Sequence, residues 1–196
     1  MTVCIQIIAA VLAIILVMIL HELPKAIVAN LLKTETESFA SIFHVARYID
    51  PIGLIFCIAA GAGFSKSYRY KINSKRQPLV IGLTGLASLL VTFLVTMIIY
   101  NCMYQGVEIQ EILQSGYGEL QFAYWFIAFI LLNSLGMFFV NLMPIAAFDM
   151  GMIVAGISLP HYIAMIRRDT EMKIVLFIVL CLQAIPITVI RIVNLI

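Results

Sequence analysis

From Val3 to Leu20 the chain carries no charged residue. A run of that length, close to the roughly 20 residues needed to cross the hydrocarbon core, reads as a membrane helix. The run ends in His21 and Glu22, with Lys25 one turn later. Ionisable side chains are expensive at bilayer depth and by default mark a functional site. Composition agrees with a membrane setting: 63% of the 196 residues are hydrophobic and 11% are charged. With a mean hydropathy of +1.09, the chain is too apolar for a soluble domain of this size. It reads as an all-α polytopic membrane protein with a single membrane-embedded domain over residues 1–196. No basic n-region precedes Val3 and no small-residue cleavage site follows Leu20, so this helix is expected to stay rather than be removed as a signal peptide.

Spans are expected at about 3–32, 78–103, 122–143 and 173–195, each long enough for the hydrocarbon core. The run 51–64 is shorter and carries Gly53, Gly61 and Gly63. It reads either as a short span or as a re-entrant segment packed inside the bundle. Residues 143–159 are apolar but interrupted by Pro144, Asp149, Gly151 and Gly156, and read as a bent or partly inserted continuation. Loop charge sets the orientation. The connector 65–77 holds Lys66, Arg69, Lys71, Lys75 and Arg76, whereas 104–121 has no Lys or Arg but contains Glu108, Glu111 and Glu119. The positive-inside rule puts the first in the cytoplasm and the second outside. Arg167, Arg168 and Lys173 return basic charge to the cytoplasmic side, so His21 and Asp149 are expected toward that half of the membrane. Alternation of Tyr68, Tyr70 and Ile72 signals a short hairpin at the same interface.

The net charge of +2 gives no argument for nucleic acid, because the basic residues collect at helix ends, where headgroups and topology account for them. Cys4, Cys57, Cys102 and Cys181 are widely separated, with no CxxC pair. They read as small apolar residues, neither a cysteine zinc site nor a disulfide framework.

Within the first helix, Pro24 has no N–H for the carbonyl of Leu20 and its ring crowds that turn. A kink beside His21 is expected, as a packing bend or as a device that shapes the site. In the zinc helix HExxH two histidines four apart bind the metal while the glutamate activates water. Here the residues read HELPK. His21 and Asp149 are thus candidate metal ligands and Glu22 the candidate catalytic base, a donor set that lacks one ligand. His44, or less readily His161, is a candidate surrogate. Lys25 offers three donors and no lone pair, so it is better suited to replacing a metal than to binding one. Lying on the face of His21, it is expected to form a salt bridge with Glu22 and Asp149. The bland alternatives are a wet helix end for His21 and Glu22, and a cap or turn carboxylate for Asp149.

Five segments follow one another in a specific order: HELPKAIVANLL, YIDPIGLIF at Tyr48–Phe56, GFSKSYRY at Gly63–Tyr70, GLTGLASLL at Gly82–Leu90 and NLMPIAAFDMG at Asn141–Gly151. They resemble, in sequence, the HExxHAxxAxxLG, HIDPxG, GWAKPVPV, LAGPxSNLL and NLLPIPPLDGG elements of the site-2 protease family of intramembrane zinc metalloproteases, particularly its compact bacterial branch. The departures gather at the chemistry. The metal histidine is Lys25, the prolines of GWAKPVPV are Ser67 and Arg69, and the proline and asparagine of LAGPxSNLL are Leu86 and Leu89. Ala146, Ala147 and Met150 replace two prolines and a glycine around Asp149.

The resemblance implies a site-2-protease-like helix bundle in which His21 and Asp149 match two of three zinc ligands and Glu22 matches the general base. The third ligand and the substrate-positioning asparagine are missing, at Lys25 and Leu89. That pattern implies a pseudoprotease that binds a transmembrane helix or partner protein through the old substrate groove, with zinc weak or absent. The alternative is an active zinc-dependent endopeptidase of transmembrane substrates that uses a surrogate ligand. A small transporter or channel built on the polar centre is a third reading, without support from internal repeats. A compact chain without organelle-targeting features suits a bacterial cell membrane.

Overall fold

The computed structural model describes residues 2–32, 42–66, 74, 76–105, 107, 109–114 and 117–195. In chain order its helices are α1 (Thr2–Leu31), α2 (Pro51–Ala60), α3 (Arg76–Tyr104), α4 (Ile109–Gln114), α5 (Gly118–Asn141), α6 (Asp149–Ile157), α7 (Leu159–Arg167), α8 (Asp169–Cys181) and α9 (Ala184–Leu195). A short 3-10 turn, Val45–Tyr48, precedes α2. The protein is all-α, with no strand among the described residues.

Three helices, α1, α3 and α5, are long and apolar enough to cross a membrane, and the bent pair α8–α9 makes a fourth if counted as one span. The spacing of buried residues in α1 explains how they associate. Ala9, Ala13, Val17, His21, Lys25 and Ala29 recur every four residues and are buried, a stripe that the helical repeat places on one side. That side packs on α3 and α5, and its alanines let the backbones approach closely, as helix interfaces in lipid require. The opposite side exposes Ile8, Leu12 and Ile27, and α3 likewise exposes Val91, Leu94 and Ile98. Apolar faces this extensive suit lipid. One core cluster joins Ile14, Met18, Leu89 and Met137, and a second joins Leu131, Val140, Phe148, Leu180 and Ile185.

Three segments refine the sequence expectations. The run 51–64 folds back on itself. Asp50 Oδ1 accepts from the Ile52 and Gly53 N–H groups, both at 2.9 Å, to start α2, with Pro51 in the first turn as the missing N–H permits. After ten residues, too few to cross, Gly61 turns the chain at φ 63°, and an extended stretch returns so that Lys66 N–H donates to Tyr48 O at 3.1 Å. The segment therefore ends beside its own beginning, a short helix followed by an extended return. Residues 143–159 divide into an irregular turn and α6, with Ala146 N–H anchored on Asp169 Oδ1 at 3.0 Å.

The expected continuous span 173–195 is broken: α8 and α9 meet at 58°. Gln183 adopts a left-handed φ of 53°, and Pro186, in the first turn of α9, has no N–H to continue the helical ladder from Leu182. Helix α1, by contrast, runs on through Pro24. The hairpin expected around Tyr68, Tyr70 and Ile72 lies outside the described residues.

Candidate functional site

His21, Glu22 and Lys25 face inward from α1, and Asp149 meets them from the first turn of α6. All four side chains are at most 2% exposed. Lys25 Nζ donates to Glu22 Oε1 at 2.7 Å and to Asp149 Oδ1 at 2.9 Å. His21 Nε2 lies 2.7 Å from Asp149 Oδ2. The ammonium and the imidazole thus each hold one oxygen of the same carboxylate. A buried carboxylate is tolerable only when paired and hydrogen-bonded, and Asp149 has partners on both oxygens. Its place at a helix N-terminus adds the positive end of the helix dipole.

A fifth member, Ser65, comes from the extended return after α2. Its Oγ lies 2.7 Å from His21 Nδ1 and donates to Glu22 Oε1 at 2.6 Å. Both ring nitrogens of His21 are therefore engaged, by Asp149 on one side and Ser65 on the other. Glu22 Oε1 collects Lys25 and Ser65, while Glu22 Oε2 is buried with no hydrogen-bond partner among the described residues. Ser65 was missed in the sequence reading. Its only signal was membership of GFSKSYRY, where nothing marked it apart from its neighbours.

Close helix packing makes room for this cluster. At Gly85 a Cβ would lie 2.5 Å from Asp149 Cγ and collide with both carboxylate oxygens, so α3 supplies a side-chain-free patch against which the carboxylate rests. Ser88, one turn on, donates to Gly85 O at 2.7 Å and reaches His21 O at 3.4 Å. Gly85→Ala is expected to cost about 1–3 kcal/mol of stability, as overpacking does. Chemical unfolding in detergent measures it, and an unchanged midpoint would mean that α6 does not rest on α3 here.

These residues do not fit a zinc ion as they stand. Two zinc-type donors, His21 and Asp149, share their centre with a lysine ammonium, which has no lone pair and opposes a cation. His44 is exposed in the turn before Val45, and His161 is exposed on α7 with Nδ1 2.7 Å from Ser158 Oγ. Neither joins the cluster. No group of three or more His, Cys, Asp or Glu side chains able to hold a metal occurs among the described residues. Leu89 is wholly buried in the core with Ile14 and Met18. No family model, curated protein or solved structure matches this chain.

Proposed function

We propose that this chain is a multi-pass cell-membrane protein on a site-2-protease-like scaffold, in which a lysine salt bridge replaces the metal. On this reading it binds a transmembrane helix or partner protein instead of cleaving one by zinc chemistry, and it belongs to a bacterial cell membrane with the polar cluster toward the cytoplasm. The observation that carries the reading is the position of Lys25 Nζ, within 2.9 Å of both Glu22 and Asp149. In the zinc helix the residue at that place is a ligand.

Further support comes from the way the motif segments gather. HELPK supplies His21, Glu22 and Lys25, GFSK supplies Ser65, GLTG supplies Gly85 and FDMG supplies Asp149, and all of them touch around one point. A partner has an apolar surface within reach, since Ile52, Ile55 and Ile58 recur every three residues along α2 and are exposed. Lys66, beside Ser65, begins the basic connector that argues for the cytoplasmic side.

The test is the metal content of the purified wild-type chain. Zinc well below one equivalent is expected, because two protein donors beside an ammonium make a poor site. Tight, stoichiometric zinc that disappears in Asp149→Ala would replace this reading with the active zinc endopeptidase.

A further inference from the structure

We propose that the cleft between α2, the return through Phe64 and α8 binds one molecule of an anionic phospholipid, with an acyl chain among its phenylalanines and the phosphate beside Lys66 and Lys173. The site goes beyond the scaffold role and stands whether or not a partner helix binds. The cleft has a volume of about 380 Å³. One turn of helix with its side chains, roughly 10 Å across and 5.4 Å long, already fills about 400 Å³. A transmembrane helix is therefore too bulky to be held inside, and the occupant has to be slender.

The walls favour a hydrocarbon chain. Phe56 and Phe177 meet edge to face with ring centroids 5.9 Å apart, Phe56 lies 6.3 Å from Phe64, and Phe64 lies 5.8 Å from Phe148. All four rings line the cleft, and Leu176 and Leu180, both buried, add aliphatic surface. Predominantly apolar walls with a few placed polar groups are the usual make-up of a small-ligand site. Phe177 is 54% exposed, so one wall reaches the outer surface of the bundle, from which a chain can enter out of the bilayer.

Charge gives the cleft a polarity that matches a lipid. Lys173, Leu176, Phe177 and Leu180 all line it, at the i, i+3, i+4 and i+7 positions of one face of α8. Lys173 opens that row next to Asp169 and Glu171 at the charged start of the helix, and Leu180 lies about 10 Å further along the axis. Lys66, exposed, lines the cleft as well. The nearby carboxylates are already engaged. Asp169 gives Oδ2 to Lys173 at 2.6 Å and Oδ1 to the Ala146 N–H at 3.0 Å. Asp50, which also lines the cleft, accepts from the Ile52 and Gly53 N–H groups at the positive end of the α2 dipole. An ammonium has three donors, so Lys173 keeps donors for a phosphate beyond its bond to Asp169. Basic pockets beside membrane helices take anionic headgroups in this way.

The full chain in detergent, offered phosphatidylglycerol or phosphatidylcholine with the same acyl chains, tests the site by native mass spectrometry. One phosphatidylglycerol should be retained per chain, in clear preference to phosphatidylcholine. Lys66→Gln and Lys173→Gln should each weaken retention roughly 5-fold, the scale of one basic residue facing an anionic lipid. Ala147→Trp puts a ring into the cleft from an exposed position, away from the core, and should abolish retention. A phosphatidylglycerol carrying a diazirine in its acyl chain needs no variant to fold, and its adducts on wild type should fall on Phe56, Phe177 or Leu180. The proposal is overturned by equal retention of the two lipids, the mark of an ordinary boundary lipid, or by unchanged retention in a folded Ala147→Trp. Adducts confined to α1 or α3 overturn it too, as does dodecanoate that competes as well as phosphatidylglycerol, which would make the ligand a free fatty acid. Zinc content, which decides the scaffold reading, has no bearing on these outcomes.

Discussion

Lys25→Met should lower the unfolding free energy by about 3–5 kcal/mol, the usual cost of removing one partner from a buried ion pair. Methionine keeps the length and flexibility of the lysine stem, so packing changes little while Glu22 and Asp149 lose the ammonium they share at 2.7 and 2.9 Å. Adding Glu22→Gln removes one of the stranded charges and should recover part of the loss, a coupling that a double-mutant cycle reads directly. Chemical unfolding in detergent gives the number. A single-variant loss below about 1 kcal/mol, the range of exposed pairs, would show that the bridge is wet and that the cluster is not the dry site described above.

Lys25→His is expected to have the largest effect on ligand binding. Histidine at this position stands four residues from His21 on one helix face and removes the opposing charge. Zinc affinity should therefore rise markedly over wild type, as equilibrium dialysis or calorimetry would measure. On the scaffold proposed here, proteolysis is not expected to accompany the metal. Leu89 offers no amide to orient a scissile carbonyl, and one such donor is worth about 10² to 10³ in rate. The single variant should cleave a model transmembrane substrate poorly, with Lys25→His combined with Leu89→Asn doing better. A Lys25→His protein that binds no more zinc than wild type would end the case for a persisting metalloprotease geometry.

How far the molecule could be read in advance depended on which physical signal each part carries. The helices α1, α3 and α5 were legible because charge-free apolar runs of that length have few other uses. His21, Glu22, Lys25 and Asp149 were legible because ionisable groups in such surroundings are too costly to be incidental, and they meet within 2.9 Å although Asp149 lies 124 positions after Lys25. Ser65 was not legible. A serine in a loop carries no charge or periodicity, and its partner His21 lies 44 residues earlier. Gly85 could be seen as a small residue suited to helix contact, but not as the bed of the Asp149 carboxylate. The break at Gln183 escaped because hydropathy registers the apolar run and not the hydrogen bond that Pro186 cannot make.

The Glu22–Lys25 contact, spaced i to i+3 along α1, also bears on how the chain enters the bilayer. The N-terminal part of a protein is made first, so α1 is inserted before Asp149 and Ser65 exist to receive it. A lone Asp, Lys or Arg at mid-helix costs about 2.5–3.5 kcal/mol at insertion. With Glu22 and Lys25 one turn apart, the emerging helix carries its own counter-charge. Such a helix would reach lipid with no net charge from the pair, and in the folded protein Lys25 also holds Asp149 at 2.9 Å. The same lysine would then serve α1 twice, as the counter-charge of Glu22 before α6 is made and as the clasp between α1 and α6 afterwards.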